Sequence, residues 1–121
     1  MMKYMALIYV NRENEPQYGT PEFFAYVGGY QKATETYQAD GVYVSGDALQ
    51  HQNTATTVRV RNGKVETMDG PFAETKEQLG GYYIFDCENL DQAIKYAAMI
   101  PGAALGAVEV RPIIEAPLAT G

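Results

Sequence analysis

A β-strand cannot continue through Asp69-Gly70-Pro71, and this break constrains the fold more than any other feature of the sequence. Gly70 is free to adopt a positive φ, while Pro71 has no N–H to donate and restricts the residue before it. Strand-like segments lie on both sides, and the connection between them is much longer than a simple turn requires. We therefore predict a fixed loop here that carries function, because functional residues are often found on loops braced by a rigid sheet.

Strand and helix patterns follow one another along the rest of the chain. A strand is predicted at residues 3–10, where residues 4–10 form a continuous apolar run of strand length. Thr20-Pro21-Glu22 begins a helix that ends near Ala39. Asn62-Gly63 predicts the type I′ turn of a β-hairpin. A second helix begins at Asn89-Leu90, where the residues resemble a capping box. The remaining strands are predicted at residues 42–45, 54–61, 64–68, 79–86 and 107–114.

This order predicts an α+β fold. Removing the hairpin leaves β-α-β-β-α-β, the ferredoxin-like arrangement, in which both helices cover one face of the sheet. In the strand at 79–86, Tyr83 and Phe85 alternate with Tyr82 and Ile84, so both faces of that strand are apolar. We therefore expect the face without helices to be buried in a homodimer.

Side-chain spacing predicts which helix faces turn inward. In the first helix, Phe23, Val27, Tyr30, Thr34 and Tyr37 lie on one stripe. In the second helix, the predicted inward residues are Leu90, Ile94, Ala97 and Ala98. Gly80-Gly81 predicts a bulge or a close approach of two backbones at the start of its strand.

Composition limits the class of protein. A chain of 121 residues is the size of one domain, which we place at residues 1–115 with a loose tail at 116–121. The net charge of −6 and the lack of a basic cluster argue against direct nucleic-acid binding. No segment predicts a signal peptide or a membrane span. Cys87 is the single cysteine, so we expect a buried apolar side chain in a cytoplasmic protein.

The nine residues Asp69 to Glu77, Asp-Gly-Pro-Phe-Ala-Glu-Thr-Lys-Glu, resemble the signature of the DGPF-motif branch of the YCII-related family. The resemblance extends over nearly the whole chain and implies a ferredoxin-like fold that pairs as a dimeric α+β barrel. The branch is also associated with genes for extracytoplasmic-function sigma factors, which implies a bacterial protein in a regulatory setting. Other segments that resemble the branch, in the same order, are residues 3–5, 55–61, 79–83, 90–93 and 108–112.

The resemblance implies less about activity. The wider family includes enzymes that act on small molecules through a paired histidine and aspartate, with the histidine early in the first helix. Residues 21–40 contain no histidine, and His51, the only one in the chain, lies in a polar loop after the second strand. The paired chemistry therefore cannot be transferred to this chain, and His51 is at most a weak catalytic candidate.

Asp69 is the leading catalytic candidate, as a general base or as a hydrogen-bond acceptor for a ligand. For base catalysis near neutral pH a carboxylate needs burial or a second carboxylate beside it, here Glu74 or Glu77. The alternative is that Asp69 accepts hydrogen bonds from its own turn and fixes the loop. Glu74 and Lys76 either contact a ligand or form a solvated surface pair. Phe72 either contacts a ligand or packs into the core.

The ten tyrosines are the other candidates for ligand contacts. Several tyrosines in one region would line a cavity for an aromatic or oxygenated small molecule, although many will be core residues with wet hydroxyls. We expect Tyr9 and Tyr82 to contribute near the Asp-Gly-Pro-Phe loop. One histidine and one cysteine form no metal-ligand pattern, and we predict no cofactor. The sequence thus predicts a small-molecule-binding dimer, with a regulatory protein acting through protein contacts as the alternative.

Overall fold

The computed structural model describes residues 1–115, so the predicted tail at 116–121 lies outside the described residues. Short 3₁₀ turns at Arg12–Asn14 and Gln52–Thr54 interrupt two of the loops. No helix within these residues has both the length and the apolar character needed to cross a membrane. The strands and helices, in chain order, are β1 (Met2–Val10), α1 (Pro21–Ala39), β2 (Tyr43–Ala48), β3 (Thr56–Arg61), β4 (Lys64–Asp69), β5 (Gln78–Cys87), α2 (Leu90–Ala97), α3 (Gly102–Leu105) and β6 (Ala107–Pro112).

The fold is α+β, as predicted, with a four-stranded sheet in the order β2-β5-β1-β6. Each neighbouring pair of strands is antiparallel, which is consistent with the ferredoxin-like class. β3 and β4 form a separate two-stranded sheet, which is inserted in the sequence between β2 and β5. The hairpin turn has the predicted geometry, because φ is positive at both Asn62 and Gly63. Gly70 also has a positive φ, of 101°.

The hydrophobic core lies between the helices and one face of the sheet. Tyr37 of α1 and Phe85 of β5 are both fully buried, with ring centroids 4.7 Å apart. The Tyr37 hydroxyl donates to the backbone carbonyl of Tyr96 at 2.7 Å, so the ring is buried without leaving its polar group unpaired. Cys87 is buried in this core as predicted, and burial raises the pKa of its thiol.

Both helices begin at the predicted caps. The Thr20 hydroxyl accepts from the N–H of Phe23, and Asn89 accepts from the N–H of Gln92. The inward face predicted for α2 is largely wrong: Leu90 and Ile94 are about half exposed. Ala98 is exposed as well, whereas Ala97 is buried as predicted, and the other residues that α2 buries are Ala93 and Tyr96.

The prediction for Gly80-Gly81 is confirmed in both of its forms. The register of β1 and β5 shifts between Ile8 and Tyr9, which leaves Gly80 unpaired as a bulge. A Cβ on Gly81 would lie 2.9 Å from the backbone oxygen of Asp47 in the neighbouring strand β2. A side chain at this position would therefore separate β2 from β5.

The sheet face opposite the helices, which we call the open face, is apolar at its centre. Its side chains alternate with the buried ones, as predicted for β5: Tyr83 and Phe85 are buried, while Tyr82 and Ile84 are only half-buried. Met5 and Leu7 lie on the same face and are also half-buried. The open face is therefore available for contact with another molecule.

Candidate functional site

Two cavities lie on opposite faces of one end of the sheet. The first, which we call the tyrosine cavity, has a volume of about 490 Å³ and lies between α1 and the sheet, where it contacts Ile8 and Tyr83. The second, the loop cavity, has a volume of about 550 Å³ and includes Tyr9 and Leu79 of the open face. Ile8 and Tyr9 are neighbours in β1, and their side chains point to opposite faces of the strand.

The wall of the tyrosine cavity is the predicted apolar stripe of α1. Four of its five members, Phe23, Val27, Tyr30 and Thr34, line the cavity, whereas the fifth, Tyr37, is buried in the core. The stripe therefore does face the sheet, but α1 leaves a space over its N-terminal half. Tyr43 of the edge strand β2 lines the side of this space.

A charged pair sits at the mouth of the tyrosine cavity, on the loop before α1. The Arg12 guanidinium contacts Glu15 at 3.0 Å and also donates to the backbone carbonyl of Leu49 at 3.1 Å. The other carboxylate oxygen of Glu15 accepts from the Tyr26 hydroxyl at 2.9 Å. Glu15 is thus neutralised by Arg12 and fixed by a tyrosine of α1, which ties the loop to the helix.

Hydroxyl groups continue from this pair into the cavity. The Tyr26 and Tyr30 hydroxyls are 3.4 Å apart, and the Thr34 and Tyr83 hydroxyls are 2.8 Å apart. Burial raises the pKa of Tyr26, Tyr30 and Tyr83, so these side chains keep their protons at neutral pH. The cavity therefore offers neutral hydroxyls, and the one cation among the described residues that line it, Arg12, is paired with Glu15.

One donor near this network has no acceptor. The Nε–H of Arg12 is buried and makes no hydrogen bond within residues 1–115. A buried donor without a partner costs about 1–3 kcal/mol. The Arg12 side chain is therefore held in place at some cost to stability.

The loop cavity is formed by the Asp-Gly-Pro-Phe loop and by residues 49–55. Tyr9, His51 and Phe72 all line it, so the structure brings together three of the predicted site residues. The Nδ1 atom of His51 accepts from the N–H of Asn53 at 3.1 Å, which fixes the ring and leaves Nε2 as its available atom. Gln78, the buried amide of this region, accepts from the N–H of Gln52 at 3.1 Å.

Asp69, Glu74 and Lys76 line neither cavity. The carboxylate of Asp69 is exposed and makes no hydrogen bond within residues 1–115, so Asp69 does not brace the turn. The bracing comes from backbone and threonine groups instead. The Gly70 N–H donates to the carbonyl of Ala55 at 2.7 Å, and the Thr57 hydroxyl donates to the carbonyl of Gly70 at 2.9 Å.

Two further expectations for this loop are not met. Phe72 does not pack into the core, because 75% of its surface is exposed and its ring instead lies 5.1 Å from the guanidinium carbon of Arg59. Glu74 and Lys76 form no ion pair, since the salt bridges in the described part of the chain join Arg12 to Glu15 and Glu109 to Arg111. Tyr82 does not line the loop cavity. Its side chain lies on the open face, where its hydroxyl donates to Asp47 at 3.0 Å, and the residue borders the tyrosine cavity from β5.

Sequence reasoning missed Arg12, Glu15 and Tyr26. Arg12 and Glu15 lie in a polar loop with no recognisable motif, so only the fold shows that they meet α1. The stripe of α1 did indicate a polar-lined cavity, because it carries two tyrosine hydroxyls and a threonine hydroxyl, and buried hydroxyls need hydrogen-bond partners. Within residues 1–115, no three histidine, cysteine or acidic side chains gather as a metal site would require.

Comparison with known proteins gives the family. The model of the YCII-related domain matches residues 2–117. An uncharacterised protein of Rhizobium meliloti (strain 1021) is 49% identical over 61 residues. That alignment covers 49% of this chain and 49% of the relative, so the chain matches about half the length of that protein. Because the family model covers almost the whole sequence, the chain belongs to the YCII-related domain family.

Proposed function

We propose that this protein binds a small, planar aromatic molecule in the tyrosine cavity. The observation that carries the proposal is a space of about 490 Å³ whose walls are aromatic and whose hydroxyls converge from α1 and β5. Ligand sites are commonly clefts of 300–1,000 Å³ with mostly apolar walls and a few placed polar groups. Phe23 and Tyr43 offer ring surfaces, while Tyr30 and Thr34 offer the polar groups.

The tyrosine cavity supports this proposal better than the loop cavity does. Its side chains are fixed by α1, by the sheet and by the Glu15–Tyr26 hydrogen bond. One wall of the loop cavity is Phe72, which is three-quarters exposed and does not belong to the hydrophobic core. Asp69 lies outside both cavities, so we propose binding and assign no catalytic step to it.

A cavity-filling substitution tests this proposal. Val27 lines the tyrosine cavity, and Ala25 is exposed on the same helix outside it. We expect naphthalene derivatives to raise the Tm of the parent chain, because a ligand that binds only the native state stabilises it. The increase should vanish in Val27→Phe and persist in Ala25→Phe, which adds the same ring to the same helix. No Tm change in the parent chain, or equal changes in the two variants, would reject the proposal.

We further propose that the protein is a homodimer through the open face. Met5, Leu7, Tyr82 and Ile84 place apolar area at its centre, which supports burial against a second copy. Light scattering should then give twice the chain mass, and Ile84→Glu should give a monomer. Ala104→Glu, at an exposed position of α3, is the control that should remain dimeric.

A regulatory protein that acts through protein contacts is the second candidate. One face of the β3–β4 hairpin carries Val58, Val60 and Val65, each more than half exposed. This face and the resemblance of residues 69–77 to the DGPF-motif branch support the alternative. A protein that co-purifies from native lysate with the parent chain, and is lost in Val58→Lys, would favour it over small-molecule binding.

A further inference from the structure

We infer that Tyr30 is the recognition group of the tyrosine cavity and donates a hydrogen bond to a carbonyl oxygen of a neutral aromatic ligand. This inference rests on the proposed function and names the class of molecule that the cavity takes. It follows from asking where each hydroxyl proton of the cavity is directed. A proton that is already held by a strong acceptor is not available to a ligand.

The hydroxyl proton of Thr34 is already used in a hydrogen bond within the protein. Its hydroxyl donates to the backbone carbonyl of Tyr30 at 2.9 Å, and a carbonyl can only accept. A threonine hydroxyl has one proton, so the contact of 2.8 Å between Thr34 and Tyr83 requires Tyr83 to be the donor. The protons of both Thr34 and Tyr83 are therefore directed at protein atoms.

The hydroxyl proton of Tyr26 is also used in a hydrogen bond within the protein. Its hydroxyl donates to Glu15, whose carboxylate can only accept. In the contact between Tyr26 and Tyr30, Tyr30 must then be the donor, and the separation of 3.4 Å is well beyond the usual O–H···O distance of about 2.7–2.8 Å. Tyr30 thus holds the loosely bound proton of this group, and a ligand oxygen can capture it.

The position of the Tyr30 hydroxyl fits this role. A Cβ added to Gly102 would lie 2.8 Å from the Tyr30 oxygen and 2.9 Å from a methyl carbon of Ile8. The hydroxyl therefore lies deep, over the central strand β1, in space that a glycine leaves open. A hydrogen bond formed there is stronger than one formed in water, because little solvent competes for it.

Charge selects a neutral ligand. The positive charge of Arg12 is paired with Glu15, and none of the other described residues that line the cavity is cationic. An anionic ligand would therefore be desolvated without gaining a free cation. The protons of Tyr26, Tyr30 and Tyr83 stay bound at neutral pH, so the hydroxyls donate and do not act as bases.

Tyr43 carries the competing hydroxyl, since that hydroxyl makes no hydrogen bond within residues 1–115. Tyr43 lies on the edge strand β2, however, which has a neighbouring strand, β5, on one side and none on the other. Water can compete for its proton there. Substitution of each tyrosine by phenylalanine removes one hydroxyl and keeps the ring, so the two variants separate the candidates.

The test measures the affinities of acetonaphthone, ethylnaphthalene and naphthoate, substituted at the same ring carbon, by calorimetry. The parent chain should bind the ketone about tenfold more tightly than the hydrocarbon, the size of one net hydrogen bond, and the carboxylate most weakly. In Tyr30→Phe the ketone and the hydrocarbon should bind equally, with the affinity for the hydrocarbon maintained. In Tyr43→Phe the affinities for the ketone and the hydrocarbon should change by the same factor, so that the tenfold ratio between them persists.

Three results would overturn the inference. Equal binding of ketone and hydrocarbon by the parent chain would reject the carbonyl contact while leaving the proposed function standing. A ratio that persists in Tyr30→Phe and is lost in Tyr43→Phe would assign recognition to the edge strand. Binding of none of the three probes would reject the proposed function and this inference together.

Discussion

The Tyr26 hydroxyl donates to the carboxylate of Glu15 at 2.9 Å and so joins α1 to the loop that precedes it. Arg12 holds the other oxygen of the same carboxylate, and its second nitrogen reaches Leu49 after β2. The Arg12–Glu15 pair therefore connects its own loop to α1 and to the segment after β2 at the mouth of the tyrosine cavity.

Removal of this hydroxyl should lower stability. We expect Tyr26→Phe to reduce the free energy of unfolding by about 1–2 kcal/mol, because Glu15 is largely buried and loses one of its two partners. Urea denaturation measures the change. Tyr18→Phe is the control: because Tyr18 is 88% exposed, the loss of its hydroxyl should leave the free energy of unfolding unchanged. Equal midpoints for the two variants would contradict the role given to Glu15.

Stability should decrease at alkaline pH. Burial raises the pKa of Tyr26, Tyr30, Tyr37 and Tyr83 above the ordinary value of 10.0. Above about pH 10 the unfolded chain therefore loses tyrosine protons that the native state retains, and unfolding becomes more favourable. Each such tyrosine contributes up to about 1.4 kcal/mol per pH unit. Urea midpoints at neutral pH and at about pH 11 should show this loss, with a smaller loss in Tyr26→Phe. An identical pH dependence for the parent and the variant would count against it.

The turn at Gly70 should depend on Thr57 and not on Asp69. Thr57→Val removes the hydroxyl that donates to the Gly70 carbonyl and should cost about 1 kcal/mol. Asp69→Ala should change the free energy of unfolding by less than about 0.5 kcal/mol, because the carboxylate is exposed and unpaired within residues 1–115. Chemical denaturation of both variants checks this, and the reverse order of effects would show that Asp69 braces the loop.

Substitution by alanine should affect stability differently at Gly28 and at Gly29. A Cβ on Gly28 meets nothing within 4 Å, so Gly28→Ala should stabilise α1 by roughly 0.5–1 kcal/mol through helix propensity. A Cβ on Gly29 would lie 2.8 Å from the ring of Pro101, so Gly29→Ala should show no gain or a loss. Comparing the two Tm values tests how closely α1 packs on the segment before α3. A gain in both variants would argue against this packing.

Local chemistry predicted much of the fold. The Thr20 cap, the Asn62-Gly63 turn and the bulge at Gly80 depend on residues next to one another in the chain, and all three are confirmed. The face of α2 was harder, because the buried set (Ala93, Tyr96 and Ala97) and the predicted set (Leu90, Ile94, Ala97 and Ala98) both contain residues three and four positions apart. Which set turns inward is decided by packing against the sheet, which sequence spacing does not contain.

The candidate site was less predictable for the same reason. The stripe of α1 was found, but the space beneath its first half depends on where the sheet lies. Packing into the core was one of the two alternatives for Phe72, yet its side chain is largely exposed and its ring meets Arg59 instead. Arg12 and Glu15 meet Tyr26 only through the folded loop, so no pattern of neighbouring residues predicts them.

The most direct test of the central claim is an amide chemical-shift map of the labelled protein with acetonaphthone bound. Binding in the tyrosine cavity predicts shifts at the backbone amides of Gly46, Ala48 and Gly81, which border it, with the exposed hairpin valine Val60 unaffected. Shifts confined to His51 and Phe72 would place the ligand in the loop cavity and contradict the account. An unchanged spectrum at saturating ligand would also contradict it.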